Sequence, residues 1–353
     1  CVASRLRVDG LLHEGDRVTG ARARCGLTDE VLEVRARSVV NAAGPWAEQV
    51  AALEDRSGDE PRLHLSKGVH IVLPRERLPI ENLLYLPMPD GRAVFAIPRG
   101  ETVYVGTTDT SWHGDRRLWP EVEAADVDYL LEPLARCFDL PPPTRADVVA
   151  TWAGLRPLIA RSGKAARELS RRDEIWTGAG GMLTIAGGKL TGFRHMAEEV
   201  LEAVERTSGV TLPPPPGLTT LPGGDFDGSP EALARTLPGT DNLAPGCAER
   251  LVRLYGTEAR AVLEAGAEPL VPGGELVRGE IDWAVTREAA HDLEDLIYRR
   301  TRAAWYSPAE REAVLGPAAE HMGTLLGWSP AEQAEQIAAT RARLEDEFAF
   351  RDR

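Results

Sequence analysis

Three short stretches carry residue types able to handle an anion and a proton. Gly187-Gly188-Lys189-Leu190-Thr191-Gly192-Phe193-Arg194 runs from glycines into a helical pattern. A helix start gathers free N–H groups and a positive dipole end, and Lys189 adds a point charge. That chemistry suits a phosphate or a carboxylate. The spacing is not that of a nucleoside-triphosphate loop, and a plain strand-to-helix corner would need the same glycines. Trp152-Ala153-Gly154-Leu155-Arg156-Pro157-Leu158 sets Arg156 at the end of an apolar run. An arginine there needs a partner, either a structural carboxylate or a bound anion. Ser66-Lys67-Gly68-Val69-His70 places His70 shortly after a glycine. Histidine can accept a proton near neutral pH, and it is also an ordinary satisfied residue at a strand start.

Three further stretches are less specific. Val40-Asn41-Ala42-Ala43-Gly44-Pro45-Trp46 reads as a strand, a small-residue turn and a helix start. It is either a close-packed corner or a backbone surface for a flat cofactor. Gly106-Thr107-Thr108-Asp109-Thr110 ends a strand in hydroxyls and a carboxylate, and an Asx-type turn is its simplest local reading. The basic run from Arg161 to Arg172 reads as a solvated loop, or as a patch that steers an anion.

The elements that must position these residues change in type along the chain. Ser4 to Val8, Val18 to Arg24 and Val31 to Arg37 alternate as short strands. His70 to Leu73, Ala93 to Ile97, Thr102 to Gly106, Val148 to Leu155, Ile175-Trp176 and Met182 to Ala186 continue the extended pattern. Val122 to Phe138 reads as a helix, and Gly187-Gly188-Lys189 reads as a tight turn into another that runs to about Arg206. Pro213 to Pro216, followed by glycines to Gly228, marks a stiff linker. Beyond it the period becomes helical, over 248–255, 283–290, 293–305, 308–326 and 330–348, and Thr286 to Thr301 is the clearest stretch. The expected organisation is a core at 1–210, a Pro/Gly linker at 211–228 and a helical domain at 229–353.

Composition narrows the function. The 353 residues carry a net charge of -14, which argues against nucleic acid as a partner. The four cysteines, Cys1, Cys25, Cys137 and Cys247, are far apart and lie at no metal spacing, so neither a metal site nor a disulfide framework is expected. No apolar run approaches the roughly 20 residues of a membrane span. A cytoplasmic setting fits. The chain begins at Cys1, and a longer natural start is expected.

Taken together, NAAGPW (41–46), SKGVHIVLP (66–74), VGTTDT (105–110), WAGLRPL (152–158), LSRRDEI (169–175) and IAGGKLTGFRHMAE (185–198) resemble the FAD-dependent glycerol-3-phosphate dehydrogenases. Those enzymes lie within the wider D-amino-acid-oxidase-like group of flavoproteins. NAAGPW is shared broadly across that group, whereas GTTD, GLRPL and GGKLT are narrower. The resemblance implies a mixed α+β and α/β fold. An incomplete FAD-binding domain, from 1–54 and 151–210, joins an antiparallel-sheet substrate domain at about 55–150, and a C-terminal helical domain follows.

The same resemblance implies oxidation of glycerol 3-phosphate at C2 to dihydroxyacetone phosphate. A base takes the hydroxyl proton while hydride passes to FAD, and electrons go on to a membrane quinone. Arg156, Arg171 and Lys189 would bind the substrate, mostly its phosphate. His70 would be the base, since arginine hardly deprotonates. Ala43, Gly44 and Trp46 would line the flavin cleft with Gly188, and Leu190 and Thr191 would meet the isoalloxazine edge. The resemblance leaves room for peripheral contact with the inner face of the membrane and for a homodimer. An oxygen-using oxidase or an inactive fragment would look alike. The G-x-G-x-x-G that holds the FAD pyrophosphate in this family does not open the chain, so weak FAD binding by the chain alone is expected.

Overall fold

The computed structural model describes residues 1–54, 63–160, 173–214, 217–240 and 242–351. Strands β1 (Leu6–Glu14), β2 (Arg17–Cys25) and β3 (Val31–Arg35) form an antiparallel meander. β4 (Val40–Asn41) leads through a 3-10 turn, Gly44–Trp46, into α1 (Ala47–Ala51). β5 (Leu63–Pro74), β6 (Leu84–Pro87), β7 (Ala93–Arg99), β8 (Thr102–Gly106) and β9 (Thr110–Ser111) follow. Helix α2 (Ala124–Cys137) precedes β10 (Ala150–Ile159). After β11 (Asp173–Thr177) and β12 (Leu183–Gly187), α3 (Phe193–Ser208) is the last element before the proline run.

The remainder is helical. It comprises α4 (Pro230–Ala234), α5 (Cys247–Tyr255), α6 (Ala259–Ala265), α7 (Arg278–Thr286), a π-helical turn at Asp295–Arg300, α8 (Ala303–Tyr306), α9 (Leu315–Leu326) and α10 (Pro330–Asp346).

The chain divides into two compact units. The first is Cys1–Gly68, Thr108–Pro120 and Ala153–Gly217, and the second is Val69–Thr107, Glu121–Trp152 and Leu218–Arg353. Strands β5 and β10 each give residues to both. In the first unit, β12 pairs in parallel with β4 and antiparallel with β11. In the second, β8 pairs with β7 and β7 with β6, all antiparallel. Helix α2 covers β6 with Val127, Leu130 and Leu134 buried. Leu251, Val252, Tyr255, Val262, Leu263 and Val277 form a core among the helices.

Local signals account for two of the ends. Ser329 caps α10: its hydroxyl accepts from the Glu332 N–H at 3.3 Å, and the Glu332 carboxylate accepts from the Ser329 N–H at 2.7 Å. Pro330 stands at the first helical position, where no N–H is missed. Helix α3 stops at Gly209, which takes a left-handed φ of 67°.

Several sequence expectations are corrected. β1 does not stop at Asp9-Gly10 but runs on to Glu14, absorbing irregularities between Val8 and Gly10 and between Leu12 and His13. The clear helical pattern from Thr286 to Thr301 is not one helix. α7 ends at Thr286, and Ala289 and Arg302 take left-handed backbone angles of 54° and 59°. Apolar periodicity reports which side is buried, and a π-turn and bends keep that side inward without a continuous helix. In the 308–326 stretch, α9 begins only at Leu315. β6, α4 and α6 are elements the pattern reading passed over.

Candidate active site

Arg156 lies within β10, not at its end, and Pro157 continues the strand. β10 ends the strand order of its sheet, and an outer strand tolerates a residue that cannot donate. Gly68 makes room for the arginine: a Cβ built there would stand 2.0 Å from Arg156 Nη2. The guanidinium donates to the Thr108 carbonyl at 3.2 Å and pairs with Asp109 at 3.6 Å. Ser66 Oγ donates to the same Asp109 carboxylate. Thr108 Oγ1 donates to the Lys67 carbonyl at 3.5 Å.

These residues come together because β5 pairs with β9, matching Ser66 with Ser111 and Lys67 with Thr110. Ser66 and Lys67 are therefore strand residues, not a lead-in to one. Lys67 is only 2 % exposed, and its ammonium lies 5.8 Å from the Trp112 ring centroid. The expected Asx turn at Asp109 is replaced by a long-range role, because its carboxylate serves Ser66 and Arg156. Both stretches were visible in the sequence; their pairing was not.

The 41–51 corner is built around Asn41. Its Nδ2 donates to the Ala47 carbonyl at 2.7 Å and to Thr184 Oγ1 at 3.2 Å, and its Oδ1 accepts from the Ala43 N–H at 3.2 Å. Buried Asn41 thus shapes the turn that presents Ala43, Gly44 and Trp46. Gly44 has a φ of 56°, and a Cβ there would meet nothing within 4 Å, so its face is open. Arg116 ties the corner down, donating to the Pro45 carbonyl at 2.7 Å and to the Glu48 carboxylate.

In the same unit, Gly187 and Gly188 take φ angles of 85° and 73°. At Gly188 the left-handed φ is what favours glycine, and a Cβ there would also press on Met196 Sδ at 2.6 Å. Lys189 and Thr191 are exposed, and Leu190 is 88 % exposed. Between the turn at Lys189 and the helix lies one more short element. A 3-10 turn, Leu190–Gly192, comes first, with the Gly192 N–H donating to the Lys189 carbonyl at 2.8 Å. Arg171 and the basic run 161–172 lie outside the described residues.

His70 belongs to the second unit, where it pairs with Gly106 across β5 and β8. A Cβ on Gly106 would stand 2.1 Å from His70 Cδ2, so this glycine makes room for the imidazole. The ring stacks on Trp152, with centroids 4.8 Å apart and planes within 12°. Trp152 in turn meets Trp305 at 5.0 Å. Neither tryptophan was singled out from sequence, because an indole gives no short-range sign of what it stacks on.

The open face at Gly44 and an exposed apolar Leu190 suit the edge of a flat, polar-rimmed ring system such as a flavin. On that ground the residues fit FAD at its ring end. No G-x-G-x-x-G occurs anywhere in the 353 residues.

Comparison with known proteins agrees. Residues 2–194 match the family described as FAD dependent oxidoreductase, and residues 218–333 match the C-terminal domain of alpha-glycerophosphate oxidase. The chain belongs to the FAD-dependent oxidoreductase family. Within it, the likeness is to glycerol-3-phosphate dehydrogenases. The aerobic glycerol-3-phosphate dehydrogenase of Staphylococcus aureus (strain USA300) is 34% identical over 342 residues, covering 90% of this chain and 59% of that protein. The glycerol-3-phosphate dehydrogenase of Bacillus halodurans, solved in complex with FAD, is similar in structure with a TM-score of 0.82 at 31% identity. That match covers 98% of this chain and 69% of the other. The chain therefore spans under two thirds of the length of the Staphylococcus relative.

Proposed function

We propose that the chain provides the substrate side of an FAD-dependent glycerol-3-phosphate dehydrogenase, oxidising glycerol 3-phosphate to dihydroxyacetone phosphate. The observation that carries this reading is Arg156, seated against Gly68 and oriented by Asp109 and the Thr108 carbonyl. A guanidinium held by fixed acceptors is pre-organised for a planar, paired contact with phosphate. Lys189 and Arg171 would add charge to the phosphate. His70 would take the proton from the C2 hydroxyl as the general base.

FAD, when bound, supplies the two-electron acceptor. Ala43, Gly44, Trp46, Gly188, Leu190 and Thr191 would line it, with the turns around Gly44 and Gly188 admitting backbone close to the ring. In domain terms, 1–210 forms the flavoprotein core, 211–228 the linker and 229–353 the helical domain. The partners of this reading are the substrate and a membrane quinone, reached by peripheral contact with the membrane surface, with a homodimer as one assembly.

The 218–333 match carries an oxidase description, which supports oxygen as a second acceptor. Peroxide release against reduction of a quinone analogue separates the two. The substrate reading is tested by calorimetric binding of glycerol 3-phosphate, with and without added FAD. Arg156→Ala is expected to weaken binding by about 100-fold, on the scale of a lost charged contact. Equal binding by Arg156→Ala and the parent chain would overturn the reading.

A further inference from the structure

The aromatic contacts of the second unit form a ladder that starts in the helical segment and ends at His70. Trp305 in α8 has its Nε1–H directed at Glu347 Oε1, 3.3 Å away. The Glu347 carbonyl accepts from Thr151 Oγ1 at 2.8 Å, and Thr151 is the residue before Trp152. Glu347 is buried, so it grips both the second tryptophan and the strand that carries the first. The Trp305 and Trp152 rings lie 5.0 Å apart at 37°. Tyr306 meets Trp152 edge-on at 6.2 Å, and the Arg99 guanidinium caps the Tyr306 ring at 4.2 Å. The last rung is the 12° stack of Trp152 on His70.

An imidazole turns about two side-chain torsions. Gly106 receives it across the strand pair, and the indole face sets its plane. A base has to bring one ring nitrogen to about 3 Å from the proton it takes. A misplacement of about 1 Å can cost about 100-fold in rate. An indole face also favours a cation lying over it, which stabilises the imidazolium formed when the proton arrives.

We propose that the helical segment after the proline run positions His70: Trp305, anchored by Glu347, holds Trp152, and Trp152 sets the imidazole plane. Trp152 and Trp305 are positioning residues in this scheme. The catalytic part rests on His70 being the base of the proposed reaction.

The test reads the ring directly. In the purified full chain, the His70 ring proton resonance is assigned by its loss in His70→Gln, at a pH where imidazole is neutral. It is expected to carry an upfield shift from the stacked indole. Trp152→Leu abolishes that shift. Trp305→Leu reduces it, although the substitution lies one ring further along the ladder from His70. Trp305→Phe, which keeps a ring and loses only the N–H anchor, gives a smaller change and serves if the leucine variant does not fold. A His70 resonance unmoved in a folded Trp305 variant overturns the ladder.

With FAD-loaded protein, Trp305→Leu is expected to lower kcat by about 10-fold while KM for glycerol 3-phosphate moves less than about twofold. If the resonance moves but His70→Gln keeps full kcat, the assignment of the base fails, and with it the catalytic half of the proposal.

Discussion

The Arg156 guanidinium stands 3.6 Å from the Asp109 carboxylate, in a space that exists because residue 68 has no side chain. Ser66 Oγ donates to the same Asp109 oxygen. Both charges are largely screened from water, with side chains 27% and 14% exposed. Removing the acid alone leaves a partly buried cation short of an acceptor. Asp109→Ala is therefore expected to cost about 1–3 kcal/mol in urea unfolding, and Asp109→Asn less, since an amide oxygen still accepts. A fully stable Asp109→Ala would show that the pair is incidental.

Gly68→Ala tests the same geometry without touching a charge. The new Cβ would fall 2.0 Å from Arg156 Nη2, the tip of a flexible side chain. The chain can yield by moving the guanidinium, so the fold survives and the arginine is displaced. Substrate affinity is expected to fall by about 10-fold or more, while the unfolding midpoint changes little. Calorimetry beside a melting curve separates the two effects. Unchanged affinity would mean that the position of Arg156 is unimportant for binding.

Glu347 gives a pH dependence with a definite sign. Burial pushes its carboxyl up to about 7, against the favourable pull of Tyr298, Arg343 and Arg311. The folded value lies above the unfolded one, so this group favours folding most below the ordinary carboxylate range. That contribution is lost as pH rises through about 7. The loss amounts to about 3 kcal/mol between acid and mildly alkaline conditions. Glu347→Gln cannot ionise, and its oxygen can still accept from Trp305. Urea unfolding at pH 5 and pH 8 is expected to show a smaller fall for the variant. Glu275, Glu288 and Glu310, also raised by burial, act equally in both proteins. Parallel pH curves would contradict the assignment.

Among the helices, Arg250 holds Glu280 through two hydrogen bonds of 2.9 and 2.6 Å, with Tyr255 and the Val277 N–H on the same carboxylate. Glu280 is 1 % exposed. Arg250→Met strands that carboxylate, and a loss of about 3–5 kcal/mol is expected from chemical unfolding. Glu280→Gln keeps an acceptor for Tyr255 and Val277 and is expected to cost less. The reverse order would mean that the arginine, not the acid, is the demanding partner.

Much of the site was legible residue by residue. Arg156 after a strand of small and apolar residues called for a partner, and Gly187-Gly188 marked a turn into a helix, where both glycines take left-handed backbone. His70 behind Gly68 was readable as a special place for a different reason from the one found. Gly68 accommodates Arg156, while the glycine that accommodates His70 is Gly106, thirty-six positions on. The Asx-turn reading of Asp109 failed because a local rule cannot see Ser66 and Arg156. The long helix from Thr286 failed because periodicity marks a buried side and not an unbroken backbone.

By itself the amino-acid sequence determined where most strands of the first half fall, the change to helical periodicity after the proline run, the family, and the residue types at each glycine-lined turn. These follow from patterns within a few residues, where sterics, capping and side-chain period act. Tertiary structure decided which distant residues share a space: Asp109 with Arg156, Gly106 with His70, and Glu347 with Trp305 and Thr151. Those pairings depend on strand register and on buried polar groups finding partners, and both are settled only when the whole chain packs.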